Sequence, residues 1–586
     1  MRRRAGNLGR IILKGLKRYL KGYELPSVLG PLFKLCEAAL ELIVPLIIAK
    51  IVDRGILAGD GAYAVKMALV LVLFGAVGLC FSVTAQFFCA KASVGFATRV
   101  RRALFTKVQT LSYSDLDKAG TSTLITRMTS DTAKVQNGLN LTLRLLLRSP
   151  FIVFGAMIMA FTVDLSSALV FTVAIPLLSV VVFGILLSTI PLYKKVQKNT
   201  DGVLEKTREN LSGVRVIRAF CKEEEERAEF KERNGALTAA VEKVGAISAL
   251  LNPLTYVLIN LAIIYLVYVG ALRVDSGALT TGEVLALYNY MSQILVELIK
   301  LANLIISITR ALASASRISD TLAIIPTENM GKSDLVTEGE EAVRFDGVSL
   351  RYGGAGECSL SDISFSVKAG HVGIIGGTGS GKSSLVNLIP GFYKATEGEV
   401  RIFGKAVEEY SAEAIREAVG VVPQGAVLFS GSIRDNMLWG KADATDEEIM
   451  AAVKLAQAEN VVSDKGGLDA VIEQGGRNLS GGQRQRLTIA RALVRKPKLL
   501  ILDDAASALD YATDAALRIA LRKITDTTVF IVSQRASSVM HADLIIVLED
   551  GEAVGMGTHG ELLESNEVYK EIYYSQFEEK GVKTNG

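Results

Sequence analysis

Apolar residues gather in six long stretches over the first half of the chain and break into short runs over the second half. The stretches centre on "LCEAALELIVPLIIAKIV", "MALVLVLFGAVGLCFSV", "PFIVFGAMIMAFTV", "ALVFTVAIPLLSVVVFGILL", "PLTYVLINLAIIYLVYVGAL" and "VLALYNYMSQILVELIKLANLIISI". Each extends to about 20 residues, enough for a helix to cross a bilayer. The pattern therefore predicts six membrane-spanning helices. The first and last contain charge, and their alternative is a helix buried in protein. Between spans, two long segments keep helical apolar spacing with few Gly or Pro, so the helices are predicted to run on into the cytoplasm. They turn at tips near 110–120 and 209–222. Ser112 or Ser114 is placed to cap a short helix at the first tip. The opening "MRRRAGNLGRIILKGLKRYLKGYEL" is basic with isolated apolar residues, which predicts an amphipathic helix on the membrane surface and no cleaved leader. These elements make an all-α transmembrane domain over residues 1–325. A polar, interrupted linker follows at 326–342. From 343 to 586, β-rich runs such as "HVGIIGG", "VGVVPQ", "LLILDD" and "TVFIVSQ" alternate with helical segments, the signature of a soluble α/β domain.

Composition agrees with the pattern. Half of the 586 residues are hydrophobic and the mean hydropathy is +0.34, too apolar for an ordinary soluble protein. The net charge of +4 says little, but its placement orients the chain. Residues 2–21 hold eight Lys/Arg, residues 91–140 another eight and residues 191–246 twelve, whereas the opposite connections are nearly free of them. The positive-inside tendency puts both termini, both long loops and the α/β domain in the cytoplasm. No nucleic-acid partner is expected. The five cysteines are scattered, odd in number and without a CxxC pair, so free thiols are expected. Three carboxylates fall within spans. Glu37 and Glu41 lie one turn apart in the first, and Glu297 in the last. They either attract a cationic cargo or serve interhelical hydrogen bonds.

Chemistry concentrates in the second half. Gly376, Gly377, Thr378, Gly379, Ser380, Gly381, Lys382, Ser383 and Ser384 form a P-loop, following an apolar strand and opening a helix. Its glycines let backbone N–H groups face phosphates, Lys382 reaches the β/γ-phosphates and Ser383 ligates Mg²⁺. Asp503 ends a buried strand, where a carboxylate can hold that magnesium. Leu479, Ser480, Gly481, Gly482 and Gln483 make a second turn at a helix start, which cradles phosphate or simply caps the helix.

With these motifs in this order, the chain resembles an ATP-binding-cassette (ABC) half-transporter of the exporter type, with the type IV, bacterial multidrug layout. "LSGGQ" resembles the family signature, Gln424 its Q-loop and "SALD", ending in Asp510, its D-loop. Tyr352 matches the aromatic that stacks on adenine, or is a strand tyrosine. The resemblance implies ATP and Mg²⁺ as cofactors, with Gln424 beside Ser383 and Asp503 at the metal. It also implies a bacterial plasma membrane, an amphipathic cargo (drug, lipid or peptide) moved out of the cytoplasm and a second half-transporter paired head to tail. In such a pair each ATP lies between one chain's P-loop and the other's signature, and the loop tips dock on the nucleotide-binding domains.

Two positions depart from the family. The usual glutamate after the metal aspartate is Asp504, and the usual switch histidine is Gln534. The carboxylate is shorter by one methylene and the amide cannot become cationic. The chain's own site is therefore expected to bind Mg-ATP and hydrolyse it poorly. An intact signature beside that weakened base implies a heterodimer with a partner carrying Glu and His. The alternatives are a slow homodimer and an ATP-gated regulator.

Overall fold

The computed structural model describes residues 16–326, 331, 333–334, 341–353 and 356–577. The first fifteen residues of the expected amphipathic helix and most of the expected linker lie outside this range. The chain divides into two units, Met1–Gln109 with Ser122–Ala323 and Thr110–Thr121 with Ile324–Gly586.

The first unit is helical. Five of its stretches are long and apolar enough to cross a membrane: Gly61–Gln109, Thr121–Val163, Leu165–Ala219, Glu223–Asp275 and Thr281–Ala323. The first expected span forms helix α1, Glu24–Lys50, whose Lys34, Glu37 and Glu41 set it apart from those five. Helix α2, Gly61–Gln109, has 49 residues. At 1.5 Å per residue it is about 74 Å long, more than twice the hydrocarbon thickness, so it must continue into water. Four further helices complete the core: α4, Arg148–Val163; α5, Leu165–Ala219; α7, Leu251–Asp275; and α8, Thr281–Ala323.

Their shared interior contains Leu42, Ala156, Phe171, Leu266, Leu287, Tyr290 and Met291, all buried. Small residues allow the close approach. A Cβ on Gly155 would stand 2.4 Å from Leu42 Cδ1. The Tyr290 hydroxyl donates to the Leu42 carbonyl at 2.7 Å, which answers its burial. Val72, Leu79, Val83, Ile264 and Tyr268 point outward instead. That placement suits hydrocarbon, because the helices satisfy their own backbone groups. The tip near 209–222 is no separate helix. The 55-residue α5 runs to Ala219, and Phe220–Lys222 turn into α6, Glu223–Ala249.

The other tip belongs to the second unit. Ser112 caps the short helix α3, Tyr113–Ala119, by accepting from Asp115 N at 3.1 Å. The Tyr113 ring stacks on Phe392 with centroids 4.3 Å apart, and the Tyr393 hydroxyl donates to Asp117 Oδ2 at 2.7 Å.

The rest of this unit is α/β. Strands β1 (Val343–Leu350), β2 (Leu360–Val367), β4 (Glu397–Ile402) and β5 (Lys405–Ala406) form an antiparallel sheet ordered β2-β1-β4-β5. A six-stranded sheet is ordered β12-β11-β3-β10-β9-β6. It comprises β3 (His371–Gly376), β6 (Val419–Val422), β9 (Leu499–Asp503), β10 (Thr528–Ser533), β11 (Leu544–Glu549) and β12 (Glu552–Gly557). All but β12 run parallel, and β7 (Gly431–Ser432) with β8 (Val471–Ile472) forms a separate antiparallel pair. The parallel strands are near-continuous aliphatic runs because both faces are covered. Every residue of β9 is buried.

Candidate functional site

Ligands of parallel α/β sheets bind beyond the carboxyl ends of the strands. Here four segments far apart in sequence end side by side. The order β3-β10-β9-β6 lines up the loop after Gly376, then Gln534, then Asp503 and Asp504, then Gln424. Register enforces the alignment, with Ser533 opposite Ile375 and Val532 opposite Asp503. A cavity of about 1000 Å³ opens there, lined among others by Thr378–Ser384, Gln424, Asp503, Asp504 and Gln534. That volume suits a nucleotide-sized ligand.

The P-loop is built by its glycines. Gly379 and Gly381 have φ of +88° and +92°, which L side chains rarely adopt. A Cβ on Gly381 would also press to 2.7 Å from the Ser359 carbonyl. One on Gly377 or Gly379 would meet nothing within 4 Å, so these backbones lie bare. Helix α9, Lys382–Leu388, starts at the end of the loop. Lys382 Nζ donates back to the carbonyls of Gly376, at 2.9 Å, and Gly377. Burial pulls the lysine below its ordinary pKa, against the opposing pull of Asp504 and Asp503. Burial likewise raises Asp503; the Ser383 hydrogen bond and Lys382 oppose this, and Asp504 adds to it.

Ser383 Oγ donates to Asp503 Oδ1 at 3.0 Å. Asp504 adopts φ +48°, a left-handed conformation that short Asp tolerates better than most residues. Its Oδ2 faces Gln424 Nε2 at 3.4 Å. Gln534 Oε1 lies 3.4 Å from Thr378 Oγ1. Both departures from the family pattern thus enter one cavity, and none of the three histidines lines it.

Other residues singled out in the sequence lie elsewhere. None of Leu479–Gln483 lines the cavity. They open helix α10, Gly481–Val494, where Ser480 and Gln483 form a capping box. A Cβ on Gly482 would stand 3.0 Å from the Ala508 carbonyl, so the signature packs against the "SALD" turn of its own chain. Asp510 caps the next helix, α11, Tyr511–Leu521, by accepting from Thr513 N at 2.9 Å. Tyr352 stands at the margin. Its hydroxyl meets Ser384 Oγ at 3.1 Å and its ring meets Tyr393 edge-on at 5.0 Å.

Sequence reasoning missed Cys358, Ser359, Asp550 and Gly551, which also line the cavity. It missed Gln576 as well, in the last helix, α12, Glu567–Gln576. The Gln576 side chain donates to the Gln534 carbonyl and accepts from Ala536 N, at 2.8 and 2.9 Å. No local pattern marks these positions. The need for glycine at 381, pressed against Ser359, is the nearest signal.

The donors present fit a phosphate-bound magnesium. Such an ion takes one or two carboxylates and completes its shell with hydroxyl, water and phosphate oxygens. Ser383 Oγ and Asp503 Oδ1 supply that partial set. Among the described residues no group of three or more His, Cys, Asp or Glu could hold a metal by itself.

Residues 27–298 match the model of the ABC transporter transmembrane region, and residues 360–507 match the ABC transporter model. The chain is 37% identical to an uncharacterized ABC transporter ATP-binding protein of Bacillus subtilis, YfiB, over 96% of this chain and 98% of the relative. It is 30% identical to the putative multidrug export ATP-binding/permease protein YgaD of the same organism, over 96% and 99%. In fold it is similar to a bacterial Atm1-family ABC exporter solved with ATP bound. The TM-score is 0.76 at 24% identity, covering 97% of this chain and 99% of that one.

Proposed function

This chain belongs to the ABC transporter family, and from that premise we propose that it is the weakly hydrolytic half of a heterodimeric exporter. Family membership makes it a multi-span membrane protein with an ATP-binding domain coupled to transport. The proposal concerns the division of labour. Ser383 and Asp503, with Gln424, hold Mg²⁺; Lys382 and the loop backbone hold the phosphates; Tyr352 flanks the base. Bound magnesium would neutralise charge on the β- and γ-phosphates.

Hydrolysis also needs a carboxylate to take the proton of the attacking water. A general base works within about 2.6–3.2 Å of that proton, or through one water. A misplacement of about 1 Å costs on the order of 100-fold, or roughly 2.7 kcal/mol of barrier. Gln534 can hydrogen-bond a phosphate oxygen but supplies no positive charge. The observation that carries the reading is the meeting of both weakened groups, Asp504 and Gln534, in one cavity.

The partner is supported by what this chain leaves unused. Leu479–Gln483 lie outside their own cavity and are free to complete a partner's site. At the tip near 209–222, Leu211, Val216 and Phe220 remain exposed, on a stretch beyond the bilayer. We place that tip on the partner's nucleotide-binding domain. The cargo is an amphipathic molecule; a multidrug role is carried by the relative's name alone.

The deciding experiment is phosphate release by the purified chain, alone and with its partner. Little turnover alone and robust turnover together is expected. Fast hydrolysis by the chain alone would overturn the asymmetry.

A further inference from the structure

Within the helical unit, four charges form an alternating chain. Arg148 Nη2 holds both oxygens of Glu41, at 2.9 and 2.6 Å. Arg148 Nη1 holds Glu297 Oε1 at 2.8 Å, and that oxygen also takes Lys300 Nζ at 2.8 Å. Ser149 donates to the other oxygen of Glu297 at 2.8 Å. The middle of the chain is closed, with the Arg148 and Glu297 side chains 8% and 4% exposed. The ends are open, with Glu41 and Lys300 at 43% and 44%.

A cavity of about 460 Å³ adjoins all four residues. Two polar atoms of its lining, Arg148 Nε and Gln293 Oε1, are buried and have no hydrogen-bond partner among the described residues. Val44, Pro45, Ile48 and Val296 supply an apolar wall. Arg148 starts a helix that runs outward to Val163, and Glu297 lies sixteen positions past the outer start of α8 at Thr281. At 1.5 Å per residue both sit about 22–24 Å below the outer helix ends, in the inner half of a ~30 Å hydrocarbon layer. Ionisable groups at such depth are costly, and those that face a cavity mark substrate paths.

The geometry points to a cargo site here for a zwitterionic amphiphile, its cationic group at Glu41 and Gln293, its anionic group at Lys300, its tail on the apolar wall. The four charges sum to zero, as do Lys34 and Glu37, paired at 2.6 Å. A singly charged cargo would leave one charge uncompensated at this depth, whereas a zwitterion answers both open ends. Glu37 and Glu297 are thereby removed from the cargo-attracting role open to them in sequence, and Glu41 keeps it.

This inference rests on the exporter reading, and its test separates the two. The full chain in lipid nanodiscs is titrated with a dodecyl sulfobetaine bearing a tail fluorophore. Matched trimethylammonium and sulfate amphiphiles run in parallel. The sulfobetaine is expected to bind tightest, and Glu41→Gln and Lys300→Gln are each expected to weaken it about tenfold. Binding of a fluorescent ATP analogue checks that each variant folds, and Glu41→Asp is expected to restore part of the affinity. Preference for either singly charged probe, or indifference to both variants, would overturn the site. Vesicle transport by the complex is measured separately. Selective binding without transport would sink only the exporter reading, and transport unaffected by both variants would sink only this one.

Discussion

On the proposed reading, Asp504 and Gln534 act jointly, each replacing a different component of the reaction, the proton acceptor and the cationic phosphate contact. Restoring both, by Asp504→Glu with Gln534→His, is expected to raise phosphate release by the chain alone at least about tenfold, more than either change singly. Unchanged turnover in the double variant would place the defect elsewhere. The left-handed backbone at Asp504 (φ +48°) is a mild obstacle, since Asp enters that region more readily than Glu. Ser383→Ala tests the metal set. It is expected to weaken Mg²⁺-dependent nucleotide binding several-fold while leaving Mg²⁺-free binding little altered, read by fluorescent-nucleotide titration with and without chelator.

Among elements, the short helix α3 reaches the P-loop margin through aromatic packing. Its Asp117 accepts from Tyr393, Tyr393 meets Tyr352 edge-on, and Tyr352 reaches Ser384 beside the P-loop. Burial and the Asp117 carboxylate push the Tyr393 phenol above its usual pKa, so it stays a donor throughout the working pH range. Tyr393→Phe removes one hydrogen bond, about 1 kcal/mol, and keeps the ring. Cargo-stimulated ATPase of the complex is expected to fall several-fold while nucleotide binding holds. Equal loss of both would mean that the helix merely stabilises the domain. The second tip has no capping Ser or Asp at its turn, and α5 simply runs on to Ala219. The short capped helix at the first tip follows from Ser112.

For the whole molecule, the proposed asymmetry assigns opposite weights to residues of one chain. In the assembled transporter, Asp504→Ala is expected to spare most of the turnover. Ser480→Ala or Gly481→Ala is expected to slow it strongly, because in the proposed pairing the signature serves the partner's site. Steady-state ATPase of the paired variants decides between this and a symmetric dimer. Much of this molecule is legible in one dimension. The apolar stretches, the basic loops and the P-loop follow from local rules: helix length against bilayer thickness, charge against membrane side, glycine against phosphate. The chain by itself therefore determined its class and orientation, and it named Lys382, Ser383 and Asp503 as candidate phosphate and metal donors. Tertiary structure alone decided which residues meet. Gln424, Asp504 and Gln534 share a cavity because parallel strands register their ends. Glu41, Arg148 and Glu297 join because helices pack through small residues over separations of more than 100 positions. Periodicity records how a segment folds locally, whereas strand order and helix contacts depend on the whole core closing, which no short pattern encodes.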